Sequence, residues 1–270
     1  MNSAKYLILL SIISSSCHNY LDTSDPSVFG GRTPENPSIR QSSIGLFSQD
    51  EFYQGDWYAD IEGSATLIAP TVAVGAAHTC LQFSPRYAIL GPSTLLANKS
   101  WVRINRCVPH DLYRGDLGDE EGYRSQKSYD MALFFLDQPI PGSSPASITS
   151  FEGSLVDTSI VIAGFGSYEN QFDLTYDEEF QEWISFRPFS LRSVSTFATE
   201  EWTSAQHFKD GPNPGKGSRQ GDSGGSVYIK SGDDQSYQLL GMPLSGPACD
   251  EGIGYNLDIR YYKDWIFRQL

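Results

Sequence analysis

Basic side chains are scarce in this chain of 270 residues, because 19 Lys and Arg stand against 33 Asp and Glu and give a formal net charge of −14. A protein that binds nucleic acid needs a basic patch to neutralise phosphate groups. The acidic balance therefore argues against a nucleic-acid partner. Hydrophobic residues at 39% and charged residues at 19% are typical of a folded globular chain.

Long apolar runs are absent after the N-terminus, where no segment approaches the roughly 18 residues of a membrane-spanning helix. The N-terminus itself combines Lys5, the short apolar run Tyr6–Ile13 and the small residues Ser14–Ser16. This order is typical of an export signal. We expect a signal peptide over residues 1–16 and an exported mature chain.

Cysteines are few as well, and the first of the four, Cys17, directly follows the small residues. A lipoprotein signal would place its lipid-modified cysteine there, although such signals usually carry leucine where this chain has Ser14. Plain secretion and membrane attachment through a lipid on Cys17 are therefore both open.

The remaining cysteines are Cys80, Cys107 and Cys249. Export permits disulfides, and we prefer a pair between Cys80 and Cys107. His78, Cys80, Cys107 and His110 are also residue types that bind zinc, but their spacing matches no compact ligand pattern. We therefore predict no metal site.

Helical periodicity is scarce, and short strand-like runs bounded by turn residues indicate an all-β sandwich or barrel. These runs cover residues 64–77, 101–108, 131–137, 159–166, 225–229 and 237–244. The Pro- and Ser-rich residues 137–150 are interpreted as a linker between two similar halves. The acidic stretches 115–123 and 176–183 are interpreted as solvated loops, and residues 261–270 are the best helix candidate.

Only four histidines occur, which limits the choice of a catalytic base. His18 lies beside the processed N-terminus, and His110 and His207 lie in polar, loop-like contexts. His78 instead follows a strand-like run and two alanines, so its imidazole can emerge from a buried strand into a cleft. Asp130 begins an apolar run, where a carboxylate is costly unless it is paired.

Ser223 lies in the glycine-rich segment Gly221–Gly225, which runs directly into a strand-like segment. Such a segment is either a tight turn before a strand or the setting of a nucleophilic serine. The Gly-x-Ser-x-Gly pattern also fits an α/β-hydrolase, but that fold needs a histidine after the serine. No histidine follows Ser223, so the chain order His78, Asp130, Ser223 remains.

Three blocks around these residues resemble the signature blocks of the trypsin/chymotrypsin-like serine proteases. They are "TVAVGAAHTC", "DMALFFL" and "GDSGGSV", which contain His78, Asp130 and Ser223 respectively. The blocks "VFGG", "VIAGFG" and "GIGYNLDIRYYKDWI" add support in the order that the family shows. The resemblance extends from Val28 to Leu270.

The resemblance implies two six-stranded antiparallel β-barrels with a C-terminal helix and an active site between the barrels. The first barrel would lie at about 28–140 and the second at about 141–270, after a short pro-segment or tether at 17–27. The implied activity is that of an exported serine endopeptidase that acts on proteins or peptides and needs no cofactor, and we expect a monomer. The alternative is an inactive homologue that binds proteins without cleaving them.

The resemblance also assigns roles within the site. Ser223 would attack the scissile carbonyl, His78 would take its proton, and Asp130 would orient His78. The backbone N–H groups of Gly221 and Ser223 would form the oxyanion hole.

Activation is implied at Val28, whose new amine would pair with Asp222 and order the turn around the nucleophile. The family is often cut after Lys or Arg, but Ser27 precedes Val28 here. No Lys or Arg occurs between Lys5 and Arg32, so we expect a zymogen that is not activated by a basic-specific protease.

The implied substrate pocket departs from that of trypsin. Gly217 stands at the floor, where trypsin-like members carry aspartate, so we expect poor cleavage after basic residues. Ser218 flanks the floor, and Gly246 ends the segment that replaces the family's Ser-Trp-Gly. Residues 252–255 would form another wall, and Arg219 would alternatively favour an acidic substrate residue.

The cysteines depart as well. The family pairs a cysteine after the histidine with one on the preceding strand, and the latter position is Gly63 here, which leaves Cys80 without that partner. Cys249 loses its usual partner in the same way, because Arg219 occupies the position four residues before the serine.

Overall fold

The computed structural model describes residues 31–53, 55–98, 100–115, 129–166, 175–177, 182–184, 190–202, 206–211, 218, 221–231, 236–245 and 254–270. Its main strands form two closed, six-stranded antiparallel β-barrels, and a short helix ends the chain. The predicted fold class is therefore confirmed. The proposed signal peptide and the lipid-anchor candidate Cys17 lie outside the described residues.

The first barrel closes in the order β1-β2-β3-β6-β5-β4. Its strands are β1 (Ser43–Tyr53), β2 (Asp56–Ala69), β3 (Val72–Gly75), β4 (Tyr87–Leu90), β5 (Trp101–Pro109) and β6 (Ala132–Leu136). The interior is filled by side chains such as Ile44, Leu67 and Phe134, which are fully buried. Closure leaves no unpaired strand edge, which stabilises an all-β unit.

The second barrel closes in the order β10-β11-β14-β13-β12-β7. Its strands are β7 (Ser159–Gly164), β10 (Arg192–Trp202), β11 (His207–Asp210), β12 (Ser226–Ser231), β13 (Ser236–Ser245) and β14 (Gly254–Asp258). Ile162, Phe208 and Leu240 lie in its buried interior. All six strand-like runs found in the sequence fall on strands of the two barrels.

One predicted loop contains strands instead. The acidic stretch 176–183 overlaps β8 (Thr175–Asp177) and β9 (Glu182–Ile184), which pair antiparallel as a separate two-stranded sheet. Tyr176 is opposite Trp183 in this pair. Aromatic and β-branched residues favour strands, and the surrounding acidic residues concealed that preference in the sequence.

Among the residues that the structure describes, two short α-helices flank the barrels. Helix α1 (Pro37–Ser42) begins after Asn36, whose Oδ1 accepts a hydrogen bond from the Ser38 N–H at 2.9 Å. Helix α2 (Lys263–Gln269) follows a 3₁₀ turn, Ile259–Tyr262, and confirms the helix predicted near the C-terminus. In the part of the chain that the structure describes, no helix is long and apolar enough to cross a membrane.

The two barrels are joined by an apolar cluster and by a chain of buried hydroxyl groups. The cluster contains Phe47 and Met131 from the first half, and Leu239 and Trp265 from the second. The hydroxyl chain is Ser42, Tyr228, Ser43, Ser226 and Thr66, with oxygen–oxygen distances of 2.6, 3.1, 3.2 and 2.6 Å in that order. Since β12 begins directly after the glycine-rich turn, this interface fixes that turn against the first barrel.

Candidate active site

His78 and Asp130 lie side by side in the first barrel. The imidazole follows β3 and the buried Ala76 and Ala77, and its Nδ1 lies 2.7 Å from Asp130 Oδ2. The His78 backbone N–H also donates to Asp130 Oδ1 at 2.9 Å. A carboxylate can only accept in this pair, so Nδ1 carries the proton and Nε2 is left as the basic nitrogen. The geometry suits a general base held in one tautomer.

Burial differs sharply between the two partners. The Asp130 side chain is 1% exposed, whereas the His78 side chain is 16% exposed. A buried carboxylate is stabilised when both oxygens accept hydrogen bonds, as they do here. The histidine therefore presents one edge to solvent while the acid remains enclosed.

Aromatic side chains hold the turn that carries Asp130. Tyr129 adopts a left-handed backbone with φ of 67°, and its N–H donates to the Tyr262 hydroxyl at 3.0 Å. His110 stacks on Tyr129 with ring centroids 4.9 Å apart and also contacts Trp265. The C-terminal elements thus pack over the acid and fix a strained backbone position.

Two histidines described as loop-like in the sequence are buried. His110 is 9% exposed beneath these aromatic rings, and burial lowers the pKa of its imidazole. His207 is 6% exposed and begins β11. Their polar neighbours in sequence gave no sign of this burial, which for His110 comes from contacts with Tyr129 and Trp265, distant in the chain.

The turn that presents Ser223 is defined by its backbone. Gly221 and Gly224 have φ of 90° and 77°, which other residues rarely adopt. The N–H of Gly224 donates to Pro243 O at 2.9 Å, and the N–H of Gly225 donates to Asp222 O at 2.8 Å. Ser223 Oγ lies 3.5 Å from Leu244 O, a long contact that leaves the hydroxyl largely uncommitted.

The turn packs directly against the strand that leads to His78. A Cβ added to Gly224 would overlap the backbone nitrogen of Ala76, two residues before His78. Close approach of the two backbones therefore requires glycine at position 224. This contact brings the nucleophile candidate from the second barrel next to the base candidate from the first.

Ser64 on β2 forms a clamp on this turn that the sequence did not reveal. Its hydroxyl donates to Gly221 O at 2.8 Å and accepts from the Phe165 N–H at 2.9 Å, while its backbone N–H donates to Ser223 O at 3.1 Å. The residue is 1% exposed. In the sequence it is only the first residue of a strand-like run, so no local signal marked it.

Asp222 is fully buried beside two glycines of the β7 end. Its Oδ1 accepts a hydrogen bond from the Gly166 N–H at 2.7 Å. A Cβ on Gly164 or Gly166 would overlap this carboxylate. The small residues of "VIAGFG" thus make room for the carboxylate to which the family resemblance gives a role in activation.

Comparison with known proteins agrees with the two-barrel fold. A family model described as Trypsin matches residues 48–266. The chain belongs to the trypsin family. It is 25% identical to Trypsin eta of Drosophila erecta over 229 residues, covering 77% of this chain and 78% of that protein. Trypsin eta of Drosophila melanogaster is likewise 25% identical over 232 residues, with 78% of each chain covered.

A solved structure shows the same fold. Mouse neuropsin, described as a serine protease expressed in the limbic system of the brain, aligns with a TM-score of 0.61 and 17% identity. The alignment covers 88% of this chain and 98% of neuropsin. This likeness supports the two-barrel fold of the trypsin-family chain.

The predicted disulfide is present in this trypsin-family chain. Cys80 and Cys107 are bonded, with their Cα atoms 6.0 Å apart, so neither thiol is available for the zinc site considered from the sequence. The residue facing Gly63 is Thr79 rather than Cys80, because a Cβ on Gly63 would lie 2.7 Å from Thr79 Cγ2. Gly63 and Thr79 therefore pack together at the position where the family usually has a cysteine that pairs with the one after the histidine.

The predicted substrate pocket is only partly described. Ser218 is 5% exposed, and its hydroxyl has no hydrogen-bond partner among the described residues. Gly217, Gly246 and the activation residue Val28 lie outside the described residues. The structure thus brings together His78, Asp130 and the Ser223 turn.

Proposed function

We propose that this trypsin-family chain is an exported serine endopeptidase that acts on proteins or peptides as a monomer. The observation that carries the proposal is the short pair between His78 Nδ1 and the buried Asp130, adjacent to the glycine turn of Ser223. An orienting acid, a base with one accessible edge and an uncommitted hydroxyl are the parts that acyl transfer needs.

The reaction follows from these parts. His78 Nε2 removes the hydroxyl proton as Ser223 Oγ bonds to the substrate carbonyl carbon, and the carbonyl oxygen becomes an oxyanion. The proton then passes to the leaving amine as the peptide C–N bond breaks, which leaves an acyl-enzyme. Water then attacks the acyl carbonyl carbon while His78 takes a proton from it. The bond between that carbon and Ser223 Oγ breaks, His78 returns the proton to Oγ, and the acid product leaves.

The oxyanion would be stabilised by the N–H groups of Gly221 and Ser223. The neighbouring N–H groups of Gly224 and Gly225 already donate to protein carbonyls. One preorganised donor of this kind is worth about 3 kcal/mol in the transition state. The Ser64 clamp on Gly221 O supports a fixed orientation of this turn.

Activation by a new N-terminal amine on Val28 belongs to the same proposal. Arg32 pairs with Ser193 on β10, and Ser193 is opposite Ala163, the residue before Gly164. Gly164 contacts the Asp222 carboxylate. Val28 precedes Arg32 by four residues, a reach of about 13 Å in extended chain, so its amine can approach Asp222. Residues 1–16 and 17–27 would be removed as signal peptide and pro-segment.

Labelling with a fluorophosphonate tests the proposal. The mature chain, beginning at Val28, should gain one phosphonyl group on Ser223, detected by peptide mass spectrometry. Ser223→Ala is the matched control and should not be labelled. If the wild-type chain stays unlabelled, the proposed activity is wrong and the alternative, a protein-binding homologue without hydrolytic activity, is favoured.

A further inference from the structure

His110 contacts the turn that carries Asp130 on both sides of the acid. Its backbone N–H donates to Met131 O at 2.8 Å, directly after the acid. Its imidazole stacks on Tyr129, directly before the acid, with ring centroids 4.9 Å apart and planes inclined by 25°. One residue outside the proposed triad thus holds both neighbours of the buried carboxylate.

The turn between these two contacts is tight and strained. The N–H of Met131 donates to Tyr129 O at 2.7 Å, which closes the backbone around Asp130. Tyr129 has φ of 67°, a left-handed conformation that a bulky residue keeps only where its surroundings enforce it. The Tyr262 hydroxyl accepts from the Tyr129 N–H at 3.0 Å, and the His110 ring covers the Tyr129 ring. Loss of the stacking would therefore let the turn relax and move the Asp130 carboxylate.

The hydrogen bond of the His110 ring requires an uncharged imidazole. Nδ1 accepts from the Leu112 N–H at 3.2 Å, so Nδ1 carries no proton and Nε2 carries the single one. A second proton would have to enter at Nδ1, where the Leu112 N–H already points. Protonation would replace an accepted hydrogen bond by a contact between two donors, and the ring would have to turn away from its place on Tyr129.

The ring is enclosed by aromatic side chains. His110 is 9% exposed, and its ring centroid lies 4.7 Å from that of Trp265 and 5.5 Å from that of Tyr262. These rings offer no carboxylate that would stabilise an imidazolium. Burial accordingly lowers the pKa of the His110 imidazole below its ordinary value of 6.5.

Two charged side chains act on the ring from the surface. Asp111, on the same segment, favours the protonated imidazole, whereas Arg268, on α2, opposes it. Both side chains are exposed, so solvent weakens their influence. The charge of the ring can therefore be tuned without touching the triad. The other titratable groups on the elements packed against the ring are Tyr129, Asp130 and Tyr262.

We infer that His110 is a positioning residue for Asp130, that it acts only while its imidazole is uncharged, and that acidification therefore inactivates the chain through His110 as well as through His78. The inference rests on the proposed function, in which Asp130 orients the base His78. His78 must be free of its second proton to act as a base, which accounts for one proton in the pH dependence. His110 adds another proton, whose uptake releases Tyr129 and misaligns the acid.

The pH profile of kcat tests the inference. The mature chain is assayed on one peptide from about pH 8 to about pH 5, and fluorophosphonate titration at the higher pH counts the active sites. The acid limb of log kcat should be steeper than a slope of 1 in wild type, because two protonations inhibit. In His110→Phe, which keeps a ring on Tyr129 but cannot titrate, the slope should not exceed 1. Activity that returns when the pH is restored distinguishes this inhibition from denaturation.

Two variants of His110 separate positioning from a contribution to folding alone. His110→Ala removes the ring from Tyr129 and should lower kcat per titrated site by about 10-fold at neutral to basic pH, with little change in KM. His110→Phe restores the stacking and should recover most of this loss. A residue that only stabilised the fold would change the number of titrated sites and leave kcat per site as in wild type.

Two surface variants identify the titrating group. Asp111→Asn removes a charge that favours the protonated ring, so the acid limb should move to lower pH by about 0.3 pH units. Arg268→Gln removes a charge that opposes it, so the limb should move to higher pH by a similar amount. Neither substitution should move the limb in the His110→Phe background. Opposite shifts that require His110 assign the second proton to its imidazole.

The outcomes separate the two proposals. If the chain is labelled at Ser223 but its acid limb has a slope of 1 that His110→Phe does not change, the role of His110 is overturned while the peptidase function stands. The same holds if titrated His110→Ala keeps the kcat of wild type. If the His110 variants do not fold, the wild-type slope and the shifts in Asp111→Asn and Arg268→Gln still decide. A wild-type chain that is never labelled would overturn the proposed function itself.

Discussion

The Ser64 hydroxyl of the first barrel donates a hydrogen bond to the Gly221 carbonyl oxygen of the second barrel at 2.8 Å. The same hydroxyl accepts from the Phe165 N–H. One buried side chain thus links β2, the end of β7 and the turn that would carry the oxyanion hole. This makes Ser64 a positioning residue for the proposed reaction.

Ser64→Ala should lower kcat by about 10-fold with little change in KM, because a lost buried hydrogen bond of about 1–1.5 kcal/mol misaligns the turn. Steady-state kinetics on one peptide measures the two constants separately. Ser48→Ala is the matched control, since the Ser48 hydroxyl binds Glu62 instead. If Ser64→Ala and wild type have the same kcat and KM, Ser64 does not position the turn for catalysis.

Cleavage before Val28 should raise activity by about 100-fold or more, because the new amine would bind the buried Asp222 carboxylate and order the Gly221–Ser223 turn. Removing one partner of such a buried ion pair typically costs about 3–5 kcal/mol. The measurement compares a chain that still carries residues 22–27 with one that begins at Val28. N-terminal sequencing of active enzyme should give Val28 first. Full activity from the longer chain would rule out this mechanism.

Asp210 makes stability depend on pH. Burial raises its pKa from 3.8 to about 6, so between these values the folded chain holds a proton that the unfolded chain has released. Stability therefore falls as pH rises through this window. Relative to wild type, Asp210→Asn should gain up to about 3 kcal/mol between pH 4 and pH 7.

Urea unfolding of the two chains at both pH values measures this gain. Asp137→Asn, at an exposed position, controls for the loss of one charge. A difference between Asp210→Asn and wild type that does not change with pH would show that Asp210 does not titrate in this range.

The Cys80–Cys107 disulfide should stabilise the region after His78. It closes a loop with a sequence separation of 27, for which a disulfide is typically worth about 2–4 kcal/mol. The double variant Cys80→Ala, Cys107→Ala should unfold at a lower urea concentration, and its free energy of unfolding should be lower by that amount. Adding a reductant should destabilise wild type and leave the double variant unchanged; a wild type insensitive to reductant would count against the bond.

The fold was largely predictable because its strands carry strong local signals. β3 and β6 are short, largely buried apolar runs, and two of the three signature blocks contain them. β1 and β10 were not predicted as strands. Each is 11 residues long, contains several polar residues and does not alternate regularly between apolar and polar residues. β1 contains register shifts against β2, which break the period of two.

The site was predictable only where sequence motifs mark it. His78, Asp130 and Ser223 stand in such motifs, whereas Ser64 in the site and the buried Asp210 on β11 stand in none. Asp210 follows "HFK" in an ordinary polar context, and its burial arises from β11 pairing with both β10 and β14. Contacts between distant strands are set by the closed barrel, so local sequence could not show them.

The central claim is that Ser223 and His78 act as one catalytic unit. Peptide hydrolysis by the mature chain should fall by roughly four to six orders of magnitude in Ser223→Ala or in His78→Ala. The variant that combines both substitutions should be little worse than either, because the two residues serve one step. The most direct measurement is kcat/KM for all three variants on the wild type's best peptide. Retention of most activity by Ser223→Ala, or losses that multiply in the double variant, would contradict the account.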